Sequence, residues 1–390
     1  MEIRKVRREE FEQCLRISEY AFQYTLPENE RDTRIKEMEQ YEIWGEFDDG
    51  SLISKVNIIP FTTEIANKTY SMGGVAGVAT YPERRRNGSV TRLLLAALKE
   101  MKQKGQMVSY LHPFNIGFYR RFGWENASEY KMVTLEKRDL KPLFDLHPDE
   151  GKIVRLNRKE SIPFLRQVYN QVKRRYNGFL ERTDEWWEKR VHPQQPFTAV
   201  CFNKENLPQG YILYSIKESQ CQIKEFMFIN EEARTKLWNF ICQHDSMVEK
   251  VKIWTFLDDP IDVFQPIAKT AEVQPYGMVR IVDVHEFLKA FPFQGQLEGI
   301  TLLVEDSFCE WNTGAYRFTA DSVIYIPLQA DQLQREQGLW MEIGTLSAVM
   351  VNYRSPSFFH RHGKIKGTIE ETKRFESVIP ENLPAVIDFF

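Results

Sequence analysis

No run in this 390-residue chain approaches the roughly 20 consecutive apolar residues that a membrane helix requires. Its opening, MEIRKVRREEFEQ, has no apolar stretch of the kind an export signal carries. A cytoplasmic protein with no membrane partner is therefore the expectation. Cysteine is scarce: Cys14, Cys201, Cys221, Cys242 and Cys309 are scattered and never fall in CxxC spacing. That argues against a disulfide framework and against a zinc site, and leaves buried, reduced thiols as the reading. Charge of one sign is missing too. With 55 acidic and 52 basic side chains and a net charge of -3, the chain offers no global basic field, so nucleic acid has little support as a partner. Low-complexity tracts and short repeats are absent, which sets aside solenoids and disordered tails.

What is there is long enough for two or three compact cores, with 42% apolar and 13% aromatic residues. EIRKV reads as a strand, and Arg8 to Phe22 as a helix with Phe11, Cys14, Leu15 and Phe22 on one face. YEIWGEF (41–47) and SLISKVNIIPF (51–61) read as strands joined by Asp48-Asp49-Gly50, a tight-hairpin signal. Separate strands are expected at TTEI and at KTYSMGGVAGVAT. Val90, Leu93, Leu94, Ala97, Leu98 and Met101 then recur at helical spacing, with Arg92, Lys99 and Lys102 opposite. Gly105 ends that helix, and QMVSYL forms a strand before the aromatic segment NIGFYRRFGW (115–124).

The Pro- and charge-containing stretch 135–153 reads as a domain boundary. Beyond it comes a faint echo of the first domain: strands at KIVRL, FTAVCF, GYILYSI, QIKEFMFI and VKIWTF, with helices from Ser161 to Tyr176 and from Glu231 to Lys250. The last hundred residues read as a separate α+β unit. The fold class is an α/β (α+β) multidomain protein, with domains at 1–145, 146–284 and 285–390.

The stretch VATYPERRRNGSVTRLLLAAL (78–98) carries the most chemical information. A strand ends, three arginines and a glycine make the turn, and the amphipathic helix begins. A helix N-terminus offers unpaired N–H groups and a positive dipole end, and a glycine lets a ligand approach that backbone. A pyrophosphate is the natural guest, with Arg84, Arg85 and Arg86 supplying forked donors. The same turn alone also serves as a solvated cap on a surface helix. The spacing Arg85-x-x-Gly88 differs from the GxxxxGK[ST] and GxGxxG loops, neither of which occurs here between a strand and a helix.

With these residues in place, the chain resembles the GNAT superfamily of acetyl-CoA-dependent N-acetyltransferases. Its Arg/Gln-x-x-Gly-x-Gly/Ala loop is matched by Arg85, Gly88 and Val90, the last departing from the usual small residue. FYRRFGW, the overall length, the degenerate second copy and the α+β tail make it similar to one branch, the three-domain enhanced intracellular survival (Eis) proteins. The motifs are strong from about Met72 to Trp124.

The resemblance implies two GNAT-like domains and a sterol-carrier-protein-like third, whose C-terminus reaches the active site. It implies acetyl-CoA as co-substrate and no metal. Val78, Ala79 and Thr80 would meet the pantetheine arm, and Arg85, Arg86, Asn87, Gly88, Ser89, Val90 and Thr91 the pyrophosphate. Phe114 and Asn115 would line the groove. Tyr119 would protonate the departing sulfur, and the terminal carboxylate of Phe390 would act as base. The acceptor would be a small-molecule amine, an aminoglycoside, polyamine-like or lysine amine, and the assembly a homo-oligomer, typically a hexamer.

The chemistry suits those roles. A substrate ammonium must lose a proton before it attacks a thioester, and the thiolate leaving group gains from an acid. A phenol of pKa near ~10 remains a donor at neutral pH. An aromatic wedge of Phe118, Tyr119, Phe122 and Trp124 is the structural alternative. The chain closes on Ala385-Val386-Ile387-Asp388-Phe389-Phe390, an apolar end suited to docking, whereas a C-terminal helix with its carboxylate in solvent is the other reading. Trp186-Trp187 reads as a core anchor, and Glu28, Glu30 and Asp32 as a loop able to draw in cationic amines. A lipid-binding or scaffolding protein with a non-catalytic GNAT domain is the competing function, with an apolar tunnel in 290–390 as its mark.

Overall fold

The computed structural model describes residues 1–147, 150–191, 196–261 and 270–390. The chain divides into two compact units, one of Met1–Ala127 with Gly277–Phe390 and the other of Ser128–Tyr276.

The first unit begins with β1 (Glu2–Lys5), α1 (Phe11–Phe22), α2 (Glu28–Met38), β2 (Glu42–Asp48), β3 (Ser51–Ile65), β4 (Lys68–Thr80), α3 (Ser89–Gln103), β5 (Val108–Leu111), α4 (Ile116–Arg120) and β6 (Glu125–Asn126). Asp49 and Gly50 both take positive φ, 48° and 77°, as a two-residue hairpin loop demands. The expected TTEI strand is not separate. β3 runs through Pro60 to Ile65, because β2 has its last pair at Glu42 with Ile58 and the proline lies beyond it. The acidic segment expected as a loop is α2 from Glu28 onward. Pro27 stands at its N-cap, and Glu28 and Glu30 sit in the first turn, where acidic groups complement the helix dipole.

The sheet order is β1-β2-β3-β4-β5, then strand Met278–Ile281, then β6. β4 and β5 are parallel, and Met278–Ile281 lies antiparallel to both β5 and β6. Leu93, Leu94, Ala97, Leu98 and Met101 of α3 are fully buried against this sheet, as their spacing requires. Gly105, with φ 70°, follows the end of that helix.

Sequence-based boundaries and observed units differ. Glu129–Glu136 pairs with strands Lys250–Thr255 and Thr270–Pro275 inside the second unit. Met278–Ile281, expected in the second domain, completes the first sheet instead. All four of its residues are buried between β5 and β6. Leu135 and Leu140, in the stretch read as a domain boundary, belong to a core that also holds Trp238 and Ile253.

The second unit orders its strands as Thr270–Pro275, Glu129–Glu136, Lys250–Thr255, Gln220–Phe228, Pro208–Lys217, Phe197–Phe202 and Lys152–Leu156. Its helices end earlier than expected, at Val172 and at Cys242. Trp187 is fully buried there, as an anchor should be.

Residues 284–390 add a sheet ordered Val323–Pro327, Gly314–Phe318, Thr301–Glu305, Leu339–Glu342, Ile365–Lys366. Cys309 and Val282 share one core with Val56, Leu94 and Trp124. The C-terminal α+β domain and the first domain are thus packed as a single unit. All five cysteines are buried and free.

Candidate active site

β4 stays beside β5 only from Met72 to Val75. Past that point its pairing with β3 is interrupted by a bulge between Lys55 and Asn57, opposite Ala76 to Ala79. Gly77 takes φ 55° there, and its carbonyl accepts from Lys55 Nζ at 3.0 Å. Ala76, Gly77 and Val78 are half-exposed in consequence. Ala79 and Thr80 are buried and tied to β3 through Ser54, whose Oγ lies 3.1 Å from Ala79 O and 2.6 Å from Thr80 Oγ1. A bulge at a strand end of this kind re-aims backbone and leaves one edge unpaired.

The arginine turn follows directly. Arg84 is engaged with Asp48 at 2.6 Å, and Arg92 with buried Glu46 at 2.6 Å. Neither is the free phosphate donor that an arginine run suggests. Arg85 spends its Nε on Thr80 O at 3.2 Å. Among the described residues, Arg85 and Arg86 have no carboxylate partner, and both are exposed with Asn87 and Gly88. Gly88 is the N-cap of α3 at φ 76°, and the first N–H to find a helical carbonyl is Arg92 N on Gly88 O, 3.1 Å. The N–H groups of the preceding turn are the ordinary orphans of a helix start. Ser89 is 4% exposed, and its hydroxyl has no partner among the described residues. An orphaned buried hydroxyl beside unpaired N–H groups and two arginines fits the diphosphate of a nucleotide-type cofactor.

Past β5 the chain passes His112 and Phe114 and turns into α4. Asn115 caps that helix, its Oδ1 accepting from Phe118 N at 2.9 Å. Phe114 is 76% exposed, whereas Tyr119 is 4% exposed. The Tyr119 ring stands edge-on to Phe118 (5.1 Å), Phe114 (5.7 Å) and Trp124 (6.4 Å), so the aromatic wedge exists. Its hydroxyl nonetheless has no partner among the described residues, and burial pushes the phenol up to about 12.

The chain end arrives at the same edge without forming a helix. Ala385, Val386 and Asp388 are buried, and Phe389 is exposed. The Phe390 ring packs against Phe61 (4.8 Å) and stands edge-on to His112 (5.2 Å), while Phe389 also lies against His112 (4.7 Å). Gly74 makes the approach possible, since a Cβ there would meet Phe61 Cε2 at 2.7 Å and Phe390 Cε2 at 2.8 Å. Burial holds the His112 imidazole down to about 4, so it is neutral at physiological pH.

His112, Gly74 and Phe61 are site neighbours that the sequence reading did not single out. The available signal was the Gly73-Gly74 pair inside an otherwise apolar strand, which marks close approach of another backbone or side chain.

A parallel pair of strands that parts beside a helix N-terminus, with an unengaged phenol on the following helix, is a candidate site for a nucleotide-type co-substrate. The comparisons agree. Residues 2–127 and 178–281 each match a family described as acetyltransferase (GNAT) domain, and residues 284–387 a sterol carrier protein domain. An uncharacterized N-acetyltransferase of Streptomyces avermitilis is 22% identical over 349 residues, covering 83% of this chain and 81% of that protein. N-acetyltransferase Eis of Mycobacterium tuberculosis is 24% identical over 251 residues, 60% of this chain and 61% of that one. A crystal structure of a probable N-acyltransferase from Enterococcus faecalis superposes with a TM-score of 0.90 at 24% identity, covering 100% of this chain and 99% of the other. The chain belongs with the GNAT acetyltransferases, with two GNAT domains and a C-terminal sterol-carrier domain, and it is an acetyltransferase of the Eis type. No described helix is long and apolar enough to cross a membrane.

Proposed function

We propose that the chain transfers the acetyl group of acetyl-CoA directly to a primary amine of an aminoglycoside, a polyamine-like compound or a lysine. Acetyl-CoA supplies the activated acyl group. Val78, Ala79 and Thr80 receive its pantetheine arm. Arg85, Arg86, Asn87, Gly88, Ser89, Val90 and Thr91 receive its diphosphate, and Phe114 and Asn115 line the groove. The Phe390 carboxylate takes a proton from the substrate ammonium, and the amine nitrogen then forms its bond to the acetyl carbon. Tyr119 gives its proton to the sulfur as the carbon–sulfur bond breaks, and the second proton shed by the acylated nitrogen restores the Tyr119 hydroxyl through solvent.

The observation that carries this reading is the docking of the Phe390 ring on Phe61, Gly74 and His112, at the end of β5 from which the chain runs on into the Tyr119 helix. These ring contacts hold the Phe390 segment against the first sheet. The exposed carboxylates Glu28, Glu30 and Asp32 on α2 favour cationic acceptors. The modules proposed are a GNAT acetyltransferase domain at 1–145, a second GNAT-like domain at 146–284 and a sterol-carrier-protein-like domain at 285–390. A cytoplasmic homo-oligomer, hexameric as the resemblance implies, completes the proposal.

The test is purified protein with acetyl-CoA and a panel of aminoglycosides and polyamines, following free thiol. Amine-dependent thiol release supports the assignment. No release above background with any amine, together with tight fatty-acyl binding, would overturn it in favour of a lipid-binding role for the C-terminal domain.

A further inference from the structure

Arg280 sits in the middle of strand Met278–Ile281, opposite Ser109 of β5, and its side chain is wholly buried. Its Nη1 donates to Phe122 O, the carbonyl of the turn that closes FYRRFGW, and its Nη2 to Asp306 Oδ2 at 2.5 Å. The guanidinium also lies 5.6 Å from the Trp124 ring. The turn is built around this group: Gly123 takes φ 83°, and a Cβ on it would fall 1.7 Å from Arg280 Nη1.

Asp306, 1% exposed, belongs to the sterol-carrier domain and is fixed on every side. Oδ2 also accepts from Asn312 Nδ2 at 2.9 Å, and Oδ1 accepts from Cys309 N at 2.9 Å and Phe308 N at 3.2 Å. Phe308 itself packs on Phe122, ring to ring at 5.0 Å. On the other side of the latch, Phe122 N and Trp124 N both donate to Tyr119 O, at 3.0 and 3.3 Å. One continuous path therefore runs from the Asp306 loop through Arg280 and the 122–124 turn to the backbone of Tyr119.

Buried ion pairs are weak sources of net stability, and this one leaves Arg280 Nε without a partner among the described residues. A pair that is costly to bury and incompletely satisfied, yet rigidly placed beside a candidate acid, has positioning as its evident benefit. We propose that Arg280 and Asp306 are the latch by which the sterol-carrier domain sets the position of Tyr119, with Arg280 as a positioning residue for the reaction. This rests on the reading of Tyr119 as proton donor. It gives the third domain a second duty besides delivering the chain end.

The test uses the full chain labelled with 3-fluorotyrosine, in R280K, D306N, Y119F and the R280K/Y119F double variant, each shown to be folded by circular dichroism. The Tyr119 fluorine resonance is identified by its loss in Y119F. The expected result is a displaced or broadened Tyr119 resonance in R280K and D306N. kcat should fall about tenfold while KM for acetyl-CoA changes less than about twofold. In the Y119F background R280K should cost less than about twofold more, because both changes act through one group. An unmoved Tyr119 resonance in a folded R280K or D306N overturns the latch, as does a full tenfold loss that persists without the Tyr119 hydroxyl. A moved resonance with unchanged kcat leaves the latch standing and removes the proton-donor reading instead. D306N preserves shape and volume, so the test survives if R280K does not fold.

Discussion

The ring of Phe390, the last residue of the chain, lies 4.8 Å from the ring of Phe61 in the long third strand of the first sheet. The contact ties Phe390 to the acetyltransferase domain through its side chain, apart from the carboxylate proposed as the base. Ring and carboxylate can therefore be separated experimentally. One glycine added after Phe390 leaves every aromatic contact intact and moves the carboxylate by about 3.8 Å, one Cα step. The expected outcome is a fall in kcat at pH 7 of about tenfold or more, with KM for acetyl-CoA nearly unchanged. The loss should shrink as pH rises and the free amine becomes available without a base. A pH–rate profile of the extended chain against the native one measures this, and coincident profiles would show that the base lies elsewhere.

Gly74 offers the converse change, in which the carboxylate stays attached to its own ring but the ring loses its seat. A methyl group there would press on both Phe61 and Phe390 at 2.7 and 2.8 Å, well inside normal contact, and the partners that must give are ring edges. G74A is expected to lower kcat and to cost about 1–3 kcal/mol of stability through overpacking. The distinguishing comparison is G74A with F390A. If both act by unseating the chain end, the double variant will be little slower than either single one.

Tyr119 is pushed up to about 12 because burial disfavours the phenolate. The hydroxyl therefore keeps its proton throughout the working range, so no alkaline limb due to this group should appear in kcat below about pH 10. Y119F, which removes only the donor, is expected to lower kcat about 10- to 100-fold with acetyl-CoA binding retained by calorimetry. An unaltered kcat would take Tyr119 out of the chemistry and leave it to the aromatic wedge with Phe114, Phe118 and Trp124.

Local features were legible in the sequence, and long-range ones were not. The Asp48–Gly50 hairpin and the α3 stripe are set by neighbouring residues, through turn geometry and helical period, and both were found where expected. The arginine turn was legible as a helix start. That Arg84 and Arg92 are consumed by Asp48 and Glu46 was not, because those carboxylates come from another hairpin. Met278–Ile281 is too short a run to announce itself as a strand or to name its sheet. Only its burial between β5 and β6 assigns it to the first, and no periodicity within it encodes that choice. Arg280 was invisible for the same reason: an arginine inside an apolar strand announces a buried partner but not which one. The apolar last residues announced a docked end, while the surface that receives them, built from Phe61, Gly74 and His112, had to be read from three separate strands' worth of sequence brought together by the fold.

Lys55 supplies a prediction about stability. It is 2% exposed on the third strand, and its ammonium has two neutral acceptors, Gly77 O at 3.0 Å and Asn57 Oδ1 at 3.2 Å. Burial holds it down from 10.5 to about 8, with Arg34 pressing the same way and Cys14 opposing. Because the folded value lies below the unfolded one, the unfolded chain binds more protons between about pH 8 and 10.5, and stability rises with pH across that window. The penalty is present in full below about pH 8 and is gone above the unfolded value, a span worth roughly 3 kcal/mol. K55M removes the titrating group and keeps much of the volume. The two lost hydrogen bonds count alike at every pH, so the comparison of slopes isolates the charge. Urea unfolding of the first unit at pH 7 and pH 10.5 should show the native chain gaining up to about 3 kcal/mol relative to K55M. A difference between the two proteins that stays constant with pH would mean that the Lys55 ammonium is as well solvated in the fold as out of it. In that case the bulge at Gly77 is wetter than the burial of Lys55 implies.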